Sequence, residues 1–253
     1  MCFKTILILL FSVSVYAQEL SNIELLSLED EGLLEYFEIV RHDSLKASFV
    51  ASIYLQRGKQ RADTIMMARG FDRLAQSYSP YTNIKYTDSV IALTAKSKHI
   101  TYPAFGYILK AYNYDKLDQF KKANKYSYIA YDHALDVGNL SQQLYILEAF
   151  IFNKVVWGNK KEALALQQKR HQLLMSKTYL QKLYLATREG ARDSINGYYT
   201  KQKTDSYLSF AICHHYLGQR DSTQYYLDIA KDLIEDNRPN NINAMKSLYY
   251  EIS

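Results

Sequence analysis

Three stretches of this chain carry one spacing of small and large residues, and that spacing constrains the fold more than any other feature. The first runs Tyr107-x-x-Lys110-Ala111-x-x-Tyr114, then Ala123-x-x-x-Ser127-x-x-Ala130. The second runs Leu147-x-x-Phe150-Ile151-x-x-Lys154, then Ala163-x-x-x-Gln167. The third runs Tyr207-x-x-Phe210-Ala211-x-x-His214, then Thr223-x-x-x-Leu227-x-x-Ala230. Each breaks at a short polar turn: Lys116-Leu117-Asp118, Gly158-Asn159-Lys160 and Gly218-Gln219-Arg220. A small residue lets a neighbouring helix approach, and large residues on either side fill the groove between the two. Ala111 and Ala211 supply the small residue on first helices; Ala123, Ala130, Ala163 and Ala230 supply it on second helices. The spacing therefore predicts antiparallel helix pairs. With 9 glycines and 3 prolines in 253 residues, the chain has too few turn formers for an all-β fold. Its 48% hydrophobic content excludes a disordered tail.

Amphipathic helices begin upstream, from about Asn22. Ile23, Leu26, Leu33, Leu34 and Phe37 fall on helical spacing, as do Leu45, Phe49, Ile53 and Tyr54. The acidic cluster Glu24, Glu29, Asp30, Glu31, Glu35 and Glu38 reads as the polar face of a capping segment, which must shield its neighbour and stay soluble. Thr64 to Tyr78 and Ile84 to Ser97 predict an earlier pair. Ala163 and Thr223 stand 60 residues apart, against 40 between Ala123 and Ala163, which predicts an extra helical segment near Lys177 to Lys203. The chain stops within what reads as another first helix, Asn243 to Glu251, so a truncated array is expected. These readings divide the chain into a leader (1–17), N-terminal capping helices (18–60) and a helical repeat array (61–253).

Met1 to Ala17 has a short basic start at Lys4, an apolar stretch and a small-x-small site at Val15-Tyr16-Ala17, the form of a secretory signal. Its apolar stretch is about half the ~20 residues that a spanning helix needs. An exported protein, periplasmic or secreted, is expected, with no membrane span after the signal peptide. Cys2 lies in the leader, which leaves Cys213 alone in a mature chain and excludes an intramolecular disulfide or a CxxC zinc site. Cys213 reads as a small core residue. The net charge of +5 comes from 31 basic and 26 acidic residues with the signs interspersed. Without a basic stripe, nucleic acid is not an expected partner.

The repeated spacing resembles the tetratricopeptide repeat, Trp-x-x-Leu-Gly-x-x-Tyr…Ala-x-x-x-Phe…Pro, whose period is about 34 residues. Here Ile151 replaces the small residue in the middle copy, Ser127 and Gln167 replace the aromatic, and the closing Pro is absent. The resemblance implies an all-α fold, a right-handed α-solenoid of antiparallel helix pairs. The long repeats, with Asp63-Thr64-Ile65…Ala68-x-Gly70 and Asp88-Ser89-Val90-Ile91, resemble the N-terminal sensor regions of exported repeat proteins from Bacteroidetes-type bacteria. In that group such arrays often precede a membrane helix and a helix-turn-helix DNA-binding domain, neither of which is in this sequence. What the resemblance implies is a non-enzymatic scaffold binding a protein or peptide. The alternative it implies is the sensor portion of a transmembrane transcriptional regulator.

In a repeat array of this kind the first helices line a concave groove. Counting from the packing positions, the groove-facing candidates are Ile108, Tyr112 and Asp115; then Glu148, Phe152 and Val155; then Leu208, Ile212 and His215. The paired Lys and Asn residues that clamp a peptide carboxylate in some family members are missing. Many of the 24 tyrosines, among them Tyr126, Tyr128, Tyr131, Tyr225 and Tyr226, are expected between helices with their hydroxyls reaching outward. Catalytic motifs are missing: there is no phosphate loop, no nucleophile elbow and no His-Glu-x-x-His. His214 and His215 point ~100° apart on a helix and so do not share a metal; His214 takes the place of a packing aromatic. Asp205 and Ser206 read as helix-start or surface residues. Asn139 reads as the start of a helix after Gly138. No cofactor and no enzymatic activity are expected.

Overall fold

The computed structural model describes residues 22–185 and 192–236. The expected leader and the Asn243 to Glu251 helix lie outside these residues. The described residues form helices and no strand. In chain order these are α1 (Asn22–Ser27), α2 (Asp30–Val40), α3 (Ser44–Gln60), α4 (Thr64–Leu74), α5 (Pro80–Thr94) and α6 (Ala104–Asp115). There follow α7 (Phe120–Asp136), α8 (Leu140–Trp157), α9 (Lys160–Leu174), α10 (Lys177–Leu185), α11 (Arg192–Tyr216) and α12 (Arg220–Asp236). From α2 to α9 each helix packs against the next, α9 also packs on α11, and α11 pairs with α12. The fold is all-α, and its three repeated stretches are the hairpins α6–α7, α8–α9 and α11–α12, with turns where the sequence broke.

One turn geometry recurs. Ala62, Asp118, Gly138 and Gly218 take left-handed φ values of 52, 56, 65 and 72°. After each, the next amide reaches back to a carbonyl in the last helical turn: Asp63 to Gly58 (3.0 Å), Gln119 to Tyr114 (2.9 Å), Asn139 to Ala134 (2.9 Å) and Gln219 to His214 (3.0 Å). These bonds satisfy carbonyls that the helix end would otherwise leave bare. The residue that follows the turn often starts the next helix. Asp63 Oδ1 accepts the Met66 amide at 2.8 Å, and Asn139 Oδ1 accepts the Gln142 amide at 3.1 Å. Two left-handed positions are not glycine, so these turns carry only part of the usual sequence signal.

Where helices touch, small residues stand at the contact. Ala111, Ala123, Ala130, Ala163, Ala211 and Ala230 are all buried. Glycine plays this part where α3 meets α4 and where α5 meets α6. A Cβ on Gly70 would lie 2.7 Å from Leu55 Cβ and 2.8 Å from its Cα, and one on Gly106 would lie 2.9 Å from Val90 Cγ1. Residue 60 ends α3, which packs closely on α4 at the Gly70 contact.

Two expectations for the N-terminal helices are corrected. Ile23, Leu26, Leu45 and Phe49 are exposed, whereas Leu33, Phe37 and Tyr54 are buried as their spacing suggested, joined by Leu25, Tyr36, Ala47, Val50 and Ala51. The chain breaks between α1 and α2, which shifts the helical phase. Arg57 holds that break: it donates to the Leu28 and Leu26 carbonyls (2.7 and 2.8 Å) and to Asp30 (3.1 Å). Asp30 also pairs with Arg61, so it serves as an anchor between helices rather than as part of a purely solvated face. Burial raises its carboxyl, but the two guanidiniums outweigh this and hold it below the ordinary range.

A buried polar cluster joins α4 to the segment before α6. Asp72, fully buried, accepts from Tyr102 and pairs with Arg73 at 2.6 Å. His99 stacks on Tyr102 at 5.5 Å. Burial pushes the Asp72 carboxyl upward while Arg73, Tyr102 and Arg69 pull it down, and the net shift is upward. Asp72 and Tyr102 lie 30 residues apart, and no local pattern announces their pairing.

Candidate binding groove

The first helices of the second and third hairpins, α8 and α11, face each other across a hollow of about 770 Å³. On α8 a stripe at helical spacing lines it: Tyr145, Glu148, Phe152 and Val156. Opposite stand Ser209, Ile212, His215 and Tyr216 of α11. Ile151 and Val155 form the floor, tied through Cys213 and Ala163 to the core beneath. Phe152 is 66% exposed and Tyr145 56%.

The structure brings together Glu148, Phe152, Val155, Ile212 and His215 of the expected groove. Tyr112 and Asp115, both exposed at the end of α6, do not line the hollow, although they and Glu148 act on the Tyr145 phenol. Burial first, then these neighbours, raise the pKa of that phenol. Tyr145 itself was not foreseen; its place three residues before Glu148 on the same face was the available signal. Ile108 and Leu208 are corrections. Ile108 packs with Ala104, Ala130 and Ile146 because α8 covers that end of α6. Leu208 is fully buried against Leu227 and Ala230 of α12. Both residues support the groove from within the core and contribute no surface to it.

Charge in the groove is sparse. Glu148 accepts from Arg170 at 2.9 Å, and Lys160 lies over the Tyr216 ring at 5.4 Å. His215 meets Tyr216 edge-on at 5.7 Å. Its neighbour His214 points away and stacks on Tyr226 at 5.3 Å, the packing place expected for it.

One arrangement resembles part of a catalytic site. His171 Nδ1 lies 3.0 Å from Ser206 Oγ. Ser206, however, is fully buried in the middle of α11 and is also held by Gln167 at 2.9 Å. Asp205 pairs with Lys201 at 3.1 Å, away from the histidine. A nucleophile needs access to substrate and an oriented base; here the serine and histidine join α9 to α11. This corrects the helix-start reading of Asp205 and Ser206. Burial, then Arg170, lowers the His171 pKa, which favours the neutral ring. Cys213 is buried, and burial pushes its thiol up to about 11, so it is a poor nucleophile. Among the described residues no group of three or more His, Cys, Asp or Glu could hold a metal ion, and no helix is long and apolar enough to cross a membrane.

These features define an all-helical protein of serially packed hairpins with an apolar, aromatic-rimmed groove between first helices. No family model matches the chain, and no curated protein matches it significantly.

Proposed function

We propose that the chain is a right-handed α-solenoid of tetratricopeptide type, exported from the cytoplasm, that captures a peptide or protein segment in the groove between α8 and α11. The observation that carries this reading is the exposed stripe Tyr145, Phe152 and Val156 facing Ile212 and Tyr216 across a preformed hollow. Preformed concave surfaces with aromatic anchors and few polar groups suit segment recognition, because they lose little entropy on binding. The recurring turn and the serial contacts support a solenoid, in which each hairpin leans mainly on its neighbours. Glu148 is held by Arg170 and Ser209 donates to the Asp205 carbonyl within its own helix, which supports a binding reading.

The test is selection of peptides from a random display library on the full chain, followed by calorimetry. Selected peptides should bind Phe152→Ala at least about tenfold more weakly, the loss expected for an aromatic anchor. Tyr112→Ala should weaken binding to a lesser degree. Unchanged affinity in both variants would remove the groove from the mechanism.

A further inference from the structure

Residues 97–103, between α5 and α6, run as a strap that is held from several sides. Asn139 Nδ2 donates to the Ile100 carbonyl at 2.8 Å and Gln142 Nε2 to the Thr101 carbonyl at 2.9 Å, which ties the strap to the first turn of α8. The Thr101 carbonyl also accepts the Phe105 amide at 3.0 Å, in the first turn of α6. Tyr102 packs its buried ring with Ala68 and Val90 and gives its hydroxyl to Asp72 of α4. The Ser97 amide reaches the Thr94 carbonyl at the end of α5, at 2.8 Å. Four helices, α4, α5, α6 and α8, thus meet at a segment that belongs to none of them.

His99 sets the conformation of this strap. Its Nδ1 accepts the Thr101 amide at 3.1 Å, which closes a turn across two residues as an Asn side chain does in an Asx turn. Its own amide donates to Ser97 Oγ at 3.0 Å, and its ring stacks on Tyr102 at 5.5 Å. A backbone amide can only donate, so the Nδ1 that receives it carries no proton and the ring is neutral, with its proton on Nε2. A second proton would set one N–H against another and abolish the bond.

The charges around the ring act in the same sense. Burial and then Arg69 of α4 lower the His99 pKa. Lys96 and Lys98 flank it along the chain. Asp72, the carboxylate on the α4 side, is already engaged with Tyr102 and Arg73. From α8 the strap meets two neutral amides, and Thr94 of α5 and Phe105 of α6 are uncharged. The first turns of α6 and α8 add the partial positive charge of helix N-termini. None of these groups compensates an imidazolium.

We propose that residues 97–103 form an acid-released latch: neutral His99 keeps the strap closed over α4, α6 and α8, and protonation of His99 opens it. The direction follows from linkage. The open strap takes up the proton more readily than the closed one, so closure is complete above the ordinary histidine range and is lost as the pH falls through it. Opening frees the first turn of α8 from the Tyr102 side of the molecule. Serial packing through α6, α7 and α8 then remains as the link between the N-terminal and middle hairpins. The latch does not depend on capture of a peptide in the α8–α11 groove.

The test is amide hydrogen exchange of the full chain at about pH 7.5 and about pH 5, corrected for the intrinsic rate, with the His99 ring titrated by NMR in parallel. Protection of the Thr101 and Phe105 amides should fall in acid, by about tenfold for each pH unit by which the closed strap holds the ring below its ordinary value. The amides of α2 and α3 should keep their protection. His99→Asn supplies an acceptor that does not titrate in this range, and its strap should stay closed at both pH values. His99→Phe keeps a ring for Tyr102 without the acceptor, and its strap should be open at both. Titration of His99 at or above the ordinary histidine value, equal protection at the two pH values, an acid response that persists in His99→Asn, or a closed strap in His99→Phe overturns the proposal.

Discussion

At Ala62 the backbone lies at φ 52°, where a Cβ crowds the following carbonyl; at Gly218 it lies at φ 72° with open space around it. The two positions hold the same place in the same kind of turn, one with the residue the geometry favours and one without. Ala62→Gly should raise stability by about 0.5–1 kcal/mol, because relief of left-handed strain exceeds the added freedom of the unfolded chain. Gly218→Ala should lower it by about 1 kcal/mol, with no clash to confuse the reading. Urea midpoints at unchanged m-value measure both. Shifts of the same sign in the two variants would show that the turn residues do not govern these helix ends.

Among the helices, spacing depends on which side chains are missing. Gly70→Ala would push a Cβ into the backbone of α3 at Leu55, where nothing flexible can yield. That substitution should cost about 2–3 kcal/mol, the upper range for overpacking, and lower the melting temperature accordingly. Gly197, inside α11, has nothing within 4 Å of its added Cβ. Gly197→Ala should therefore stabilise by about 0.5–1 kcal/mol through helix propensity alone. Equal effects of the two would argue against close contact between α3 and α4. Of the two glycines, only the first is a packing residue, and sequence spacing does not separate them.

For the whole molecule, serial contact means that stability is distributed over several cores rather than concentrated in one. The cluster of Leu208, Ala211, Leu227, Ala230 and Ile234 near the C-terminal hairpin is separate from the cluster under α2 to α4. Leu227→Ala should cost about 2–5 kcal/mol locally. Hydrogen exchange should then speed up in α11 and α12 while α2 to α4 keep their protection. Uniform acceleration across the chain would instead mean one cooperative unit.

Periodicity and scarce glycine and proline made the helices, their turns and the small residues at their contacts legible in the sequence, because each is a local property read within one helix or one turn. Glu148, Phe152, Ile212 and His215 were legible as groove residues for the same reason: one face of a helix repeats along it. Tertiary structure decided the rest. Ile108 and Leu208 left the surface because a neighbouring helix covers part of the face they share with Tyr112 and Ile212. Ser206 became a buried link to Gln167 and His171, and Asp72 found Tyr102, through contacts 30 or more residues apart. The exposed pairing of Phe120 with Trp157 arises only where the ends of α7 and α8 meet. Local patterns set what each segment becomes, and which face of it reaches water depends on what the rest of the chain lays against it.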